Sequence, residues 1–297
     1  MRRVHMRSGL LVLSLATLCT PLVASAQVTV TYVANEGFLL AASEGKVLID
    51  ALLDAGLRWY ARPPDEMRPA LEQALPPFDR VDLLLATHHH DDHFGPRATA
   101  RHLQSNARAR FISTPQAVAR LDDTLEKSVV RRIEALFPKE GARIHRQVGE
   151  IHLQLLNLHH GRGRNPPVEN LGFLLQLGGL LLLHIGDTEA NRADFAVYSL
   201  AQESIDVAFL PAWYLTSSEW IEVVRAEIRP VRIVVMHLAL PGAPASYFGR
   251  DGSYRERLTT IRANFPEAVI FENAGESVTF PFASEESEAA PAPDNGR

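Results

Sequence analysis

The sequence predicts an α/β fold with sheets packed in the middle and helices outside, on three observations. Strand-length apolar runs open the chain from Val28. Mixed strands and helices then follow, twice over. The composition, 46% hydrophobic and 22% charged over 297 residues, is that of an ordinary globular protein. Such a length suits one large domain or two small ones with a sizeable core.

The elements follow in order. "VTVTYV" from Val28 to Val33 alternates like a strand, and "GFLLAA" and "KVLIDAL" continue a short meander across the turn signal "SEGK". Leu57 to Leu75, with Pro63, Pro64 and Pro69, reads as a loop and a short helix. "VDLLLA" from Val81 to Ala86 has the length of a buried strand. "PRATARHLQSNA" reads as a helix, "ARFIST" as a strand, and "PQAVARLDD" as a helix with proline at its first position. "LEKSVVRRIEALF" has helical spacing of apolar residues. Strands are expected at "EIHLQLLNL", "GFLLQL" and "LLLLHIGD", then a helix at "RADFAVYSLA" and a strand at "DVAFLPAW". A helix at "SSEWIEVVRAEIR", a strand at "RIVVMHL" and a helix at "YRERLTTIRANF" precede the closing strands "AVIFEN" and "SVTFPF".

Both ends are expected to lie outside the fold. Arg2, Arg3 and Arg7, an apolar stretch from Leu10 to Leu18 and Ala24-Ser25-Ala26 make residues 1–26 a secretory signal, cleaved before Gln27. That stretch is too short to span a bilayer core of about 30 Å, so no stable membrane span is expected. A folded domain over 27–282 and a disordered acidic, Ala/Pro-rich tail over 283–297 complete the division. The protein is therefore expected in the periplasm or secreted. Cys19 is the single cysteine and leaves with the signal, so the mature chain offers no disulfide, no thiol nucleophile and no thiolate ligand. Without the three signal arginines the balance is 27 basic against 35 acidic side chains, which leaves no basic footprint for nucleic acid.

The chemistry begins where "VDLLLA" ends, at "THHHDDHFGP". His88 and His90 lie two apart, so on extended backbone both imidazoles project to one side and can reach one ion. A turn after His90 would aim Asp92 and His93 at a second point. A solvated polar loop is the plain alternative, but six consecutive imidazole or carboxylate groups at a strand end are better explained by a metal site.

The run His88-His89-His90-Asp91-Asp92-His93 resembles the His-x-His-x-Asp-His hallmark of the metallo-β-lactamase superfamily, and later blocks match in order. "LLNLHHGRG" supplies His160, with His159 as the alternative. "LLLLHIGDT" supplies Asp187, and "RIVVMHLALP" supplies His237. The resemblance runs from about Val28 to Phe282. It implies a four-layered αββα sandwich with two mixed β-sheets, helices outside, and ligand loops along one sheet edge. It further implies that His88, His90 and His160 hold one divalent ion, that Asp92, His93 and His237 hold another, and that Asp187 bridges them. Nitrogen and oxygen ligands without sulfur suit a pair of zinc ions, and manganese or iron is compatible with the same donors. Two such ions acidify a shared water, so hydroxide is available near neutral pH, and Asp92 would orient that nucleophile as the catalytic carboxylate. Thr87, His89, Asp91 and Asp50 are candidates to fix the imidazoles from behind, while His184 packs in its strand or does the same.

Details look more like the branch containing ascorbate-6-phosphate lactonase and the phospholipase D that cleaves N-acyl ethanolamine phospholipids. That branch usually shows a histidine in the first strand pair, where this chain has Asn35-Glu36-Gly37. Trp213 and Tyr214 are candidates for an aromatic wall beside a small-molecule substrate, and Arg162, with Arg164, for contact with an anionic part. Gly242 to Tyr254 is a candidate rim. The resulting expectation is an exported dinuclear hydrolase of a small ester, lactone, amide or phosphodiester. The competing class is a non-hydrolytic metalloprotein on the same fold, either an iron redox protein or a periplasmic metal-binding protein.

Overall fold

The structure is a computed structural model and describes residues 27–161, 167–189 and 191–281. The expected signal segment, the acidic tail, Arg162 and Arg164 lie outside the described residues.

Two sheets form the centre. The first, in spatial order, is β13 (Ser277–Pro281), β1 (Gln27–Ala34), β2 (Gly37–Ala42), β3 (Gly45–Ile49), β4 (Leu83–Leu85), β5 (Arg110–Ser113) and β6 (Ile133–Ala135). The second is β12 (Arg232–Met236), β11 (Val207–Pro211), β10 (Leu180–His184), β9 (Leu171–Leu177), β8 (Ile151–Asn157) and β7 (Arg143–Val148). Both are mixed. The β3–β4–β5–β6 pairs are parallel and the β1–β2–β3 pairs antiparallel, and β10–β11–β12 run parallel beside an antiparallel β7–β8–β9–β10 ribbon.

The two-residue period of a strand assigns each side chain to a layer. Phe38, Leu40, Val47, Ile49, Leu83 and Leu85 point into the core between the sheets, against Leu153, Phe173 and Phe209 of the second sheet. Their neighbours Leu39, Leu48 and Leu84 point outward, into a second core with Leu103 of α2 (Pro96–Ser105) and Leu71 of α1 (Arg68–Glu72). Strands buried on both faces explain why the sequence reads as continuous apolar runs there. The second sheet is covered by α5 (Arg192–Ala196), α6 (Ser218–Val223) and α7 (Tyr254–Asn264) through Phe195, Val223 and Ile261, which gives the expected αββα layering. Among the described residues, no helix is long and apolar enough to cross a membrane.

Phe38 is the clearest link between the layers. It is fully buried, with its ring 4.8 Å from that of Phe209 across the sheet interface. Phe38→Ala should lower unfolding stability by about 3–5 kcal/mol, read as a fall in the urea midpoint. A loss under about 1 kcal/mol would mean the interface repacks around the cavity.

Several expected elements differ. In "LEKSVVRRIEALF" only α4 (Lys127–Val130) is helical, and Ile133 to Ala135 become strand β6, paired in parallel with β5. Arg132 stops the helix, its guanidinium donating to the carbonyls of Asn106 at 2.9 Å and of Leu103 and Ala109 at 2.6 Å. β7, absent from the sequence reading, pairs with β8 over Arg143 to Val148. "AVIFEN" reduces to a single bridge between Val269 and Val234. The helix expected at "SSEWIEVVRAEIR" turns to π geometry from Val224 to Ile228.

Candidate metal centre

The carboxyl ends of parallel strands face one edge of the sandwich, the usual site of ligand loops in such sheets. Asp50 follows β3, the Thr87–His93 loop follows β4, Gly186 and Asp187 follow β10, Trp213 follows β11, and His237 follows β12. His160 arrives just after β8 and is held by a bridge to Val168. Leu171 donates its amide to the Thr87 carbonyl at 2.9 Å and so ties the two sheets together beside this edge.

The seven expected ligands converge into two sets. His88 Nε2 lies 2.9 Å from His90 Nδ1, and His160 Nε2 lies 3.3 Å from the same atom. Asp187 Oδ2 faces this triad, 3.9 Å from His88 Nε2 and 3.7 Å from His160 Nε2. Its other oxygen, Oδ1, faces the second set, 3.5 Å from His93 Nε2 and 3.2 Å from His237 Nε2. Asp92 Oδ2 sits beside them, 3.4 Å from His237 Nε2 and 3.9 Å from His93 Nε2. One carboxylate thus turns one oxygen to each set of imidazoles. His93 Nε2 and Asp187 Oδ1 are buried, face each other and make no hydrogen bond, which is the arrangement a cation between them would satisfy. The donor atoms of His88, His90, His160 and Asp187 all lie within 4.8 Å of one another.

The choice between the adjacent histidines is geometric. His160 turns into the cluster, while His159 turns away, its Nδ1 3.2 Å from Asp194 Oδ1.

Charges divide the two sets. Burial, with the neighbouring imidazoles, pushes His88 well below its ordinary range and His90 down to about 4, so these two are neutral at pH 7. In the second set burial opposes charging, but the carboxylates prevail. Asp187 and Glu36 hold His93 well above its usual value, and Asp187 and Asp92 hold His237 at about 10. Burial likewise opposes ionisation of Asp187, and the His237 and His93 charges overcome it and hold its carboxyl well below the usual range. Without an ion, His93 and His237 therefore carry protons at pH 7, and an ion must displace them. Uptake at the second set should release protons and strengthen as pH rises from 7 toward 10, where His237 loses its proton unaided. Calorimetric titration in buffers of different ionisation enthalpy reads this directly, and buffer-independent heats would contradict it.

Other residues take roles that the sequence left open. Asp50 is buried and accepts from Thr87 N at 2.7 Å, Thr87 Oγ1 at 2.7 Å and His93 Nδ1 at 2.9 Å, so it fixes both the loop and one imidazole. His184 donates through Nε2 to the Glu36 carbonyl at 3.1 Å and accepts the Gly186 amide on Nδ1 at 3.3 Å, bracing the loops from below. Asp91 does not orient the imidazoles: it is exposed and held by Arg120 at 2.7 Å, which also binds the His89 carbonyl, whereas the His89 ring packs edge-on against that of His90 at 4.9 Å. Tyr214, expected in a substrate wall, is fully buried against Phe195 and Trp220 with its hydroxyl on the Thr188 carbonyl, so it belongs to the core. Trp213 does reach the site, its ring 4.8 Å from that of His237.

Three groups escaped the sequence reading. Asn170 is fully buried and donates to the Leu158 and Ile185 carbonyls at 3.0 and 3.2 Å, which clamps the segments carrying His160 and Asp187 together. Tyr60 stands edge-on to His237 at 4.2 Å and lines a cleft of about 700 Å³ with Tyr32, Leu53, Arg58, Arg62 and Leu240. Tyr247, in the expected rim, packs on Tyr60 at 5.8 Å. Glu36, in the turn between β1 and β2, buries its carboxylate beside His93. An asparagine in a loop, a tyrosine among prolines and one acid between two strands carry no local signal of these contacts.

Fold, ligand spacing and the divided carboxylate define a metallohydrolase-like class of site, and the comparisons with known proteins agree. The family described as the beta-lactamase superfamily domain matches residues 46–245, more than half of the chain, and the protein belongs to that superfamily. A UPF0173 metal-dependent hydrolase from Pyrococcus furiosus is 26% identical over 186 residues, 62% of this chain and 72% of its own. Among solved structures, the metallo hydrolase Igni18 of Ignicoccus hospitalis superposes with a TM-score of 0.56 at 19% identity, covering 86% of this chain and 99% of its own. CmlA, a diiron β-hydroxylase from Streptomyces venezuelae, superposes with a TM-score of 0.54 at 14% identity, covering 86% of this chain and 54% of its own.

Proposed function

We propose that the protein is an exported dinuclear metal hydrolase that cleaves a small ester, lactone, amide or phosphodiester. The observation that carries this reading is Asp187, whose two oxygens face two separate imidazole sets. The naming of the Pyrococcus furiosus relative as a metal-dependent hydrolase supports it. The secretory-signal pattern of residues 1–26 supports an exported chain, periplasmic or secreted.

His88, His90, His160 and Asp187 would hold one ion, matched best by zinc, and His93, Asp92, His237 and Asp187 the other, whose donors are compatible with zinc, manganese or iron. When bound, such ions supply a nucleophile from water near neutral pH and charge for the oxygen of the bond being cleaved. The protein's own groups do the rest. Asp92 lies beside the second set, where its free carboxylate oxygen can accept the nucleophile's proton and orient it. Asp50 and Thr87 hold His93 in one ring orientation. The cleft beside Tyr60 receives the non-reacting part of the substrate, and Trp213 packs edge-on against the same His237 ring.

The test is a panel of lactone, phosphodiester and β-lactam substrates on the zinc-loaded mature chain, with metal content measured in parallel. Turnover that tracks two ions per chain is expected. A chain that takes up no ion, or one that holds iron and consumes oxygen without hydrolysis, overturns the reading. Trp213→Ala should raise KM about tenfold through lost apolar contact while kcat changes less. An unchanged KM would remove Trp213 from the substrate wall.

A further inference from the structure

Glu36 has a fully buried carboxylate, and neither of its oxygens makes a hydrogen bond. Its main chain is fixed, because the Glu36 carbonyl accepts from His184 Nε2 at 3.1 Å. The nearest donor is His93 Nδ1, 3.3 Å from Oε2, but that position is already turned to Asp50 Oδ2 at 2.9 Å. One ring N–H cannot serve both acids well, and Asp50, which also holds Thr87, has the better geometry. Glu36 is therefore not the group that orients His93. A carboxyl buried without donors either stays protonated or is ionised beside a compensating cation. Two groups of donors include Glu36, and in the one with Asp50 and His184 both imidazole nitrogens are already engaged, which leaves the other. An oxygen of Glu36, a nitrogen of each of His93 and His237, and an oxygen of Asp187 all lie within 4.8 Å of one another.

We propose that Glu36 is a direct ligand of the second ion, an assignment that rests on the dinuclear reading above and deepens it. The two positions are then chemically unlike. The triad offers three imidazoles and one shared carboxylate, a donor set suited to tetrahedral zinc. The second position offers carboxylates from Glu36, Asp92 and Asp187 with only two imidazoles. More and harder oxygen donors favour an ion of higher coordination number, manganese or ferrous iron, over zinc. The protein would thus be a mixed-metal hydrolase whose second ion is chosen by a side chain in the first hairpin, far along the chain from the histidine cluster.

The experiment loads the metal-free full mature chain with manganese alone, zinc alone, or both, and reads metal content and manganese paramagnetic resonance. Glu36→Gln keeps the side-chain volume and removes the charge. It should retain the triad ion and lose second-position manganese affinity by at least about 100-fold, since even groups behind a ligand are worth 10–100-fold. From the mixture, the wild-type chain should hold one zinc and one manganese, and the variant should hold zinc alone. Should the variant fail to fold, cadmium resonances of the wild-type chain serve instead, with one expected in the oxygen-rich range and one in the nitrogen-rich range. Two ions of unchanged affinity in Glu36→Gln, or two cadmium signals of one donor type, overturn the assignment of Glu36 and leave the two-ion reading standing. A wild-type chain that never holds a second ion overturns both.

Discussion

Asp187→Ala should remove the second ion, weaken the first and bring turnover to background, while the sheets stay folded. The expectation follows from position, because the Asp187 carboxylate turns one oxygen to each imidazole set. His90→Ala should differ in kind. It removes one donor from the triad and leaves the second set whole, so metal analysis should find one ion retained. The metal-free variants separate further. Without an ion, Asp187 is the counter-charge for His93 and His237 at 3.5 and 3.2 Å, and breaking a buried pair costs about 3–5 kcal/mol. That cost depends on pH with a definite sign. The His237 imidazole is held at about 10 in the folded chain, above its ordinary 6.5. Its pairing therefore contributes fully below about pH 6.5, and the contribution is lost as pH rises through 10. The stability gap between metal-free wild type and metal-free Asp187→Ala should be widest near pH 6 and narrow toward pH 10. Denaturant midpoints at those pH values measure it. A gap that is constant or grows with pH, or normal turnover in the variant, would remove Asp187 from the centre.

The contrast between Asp187 and Glu36 shows what the sequence could carry. Asp187, His237 and the Thr87–His93 loop each follow an apolar run, and a run of strand length ending in a polar group marks a strand end by local pattern alone. Glu36 also follows a strand, yet a lone acid in a tight turn is indistinguishable from a solvated one until the second sheet closes over it. Trp213 and Tyr214 make the same point at shorter range. Both lie in a short 3₁₀ turn, Ala212–Leu215, where neighbours point about 120° apart, so one faces His237 and the other the core. The strand at Ile133–Ala135 was hidden because its partner, β5, lies some twenty residues back, and the pairing overrides a helical pattern of apolar residues. The layered fold was legible because the continuous apolar runs of β2, β3 and β4 are a property of each strand by itself. Clamps such as Asn170 were not, because they join segments that only tertiary structure brings together.

Gly186→Ala should damage the site strongly although it touches no ionisable group. Gly186 links the end of β10 to Asp187 with a φ of +55°, a conformation that costs an L-residue about 1–2 kcal/mol. Space is closed as well. A Cβ there would lie 2.5 Å from Asn170 Oδ1 and 2.8 Å from the Thr87 Cβ. Neither neighbour can retreat cheaply. Asn170 is held by the Leu158 and Ile185 carbonyls and by Thr188 Oγ1 at 3.1 Å, and Thr87 by both oxygens of Asp50. Overpacking of this kind adds about 1–3 kcal/mol, so the chain should lose about 2–5 kcal/mol in all. The strain can also be relieved by moving the backbone, and the residue that then moves is Asp187. Metal affinity should therefore fall together with stability, although every ligand is still present. The measurement is a denaturant midpoint paired with a metal titration on the same preparation. Unchanged values in both would show that the β10–Asp187 corner is loose, and a loose corner could not hold one carboxylate between two imidazole sets.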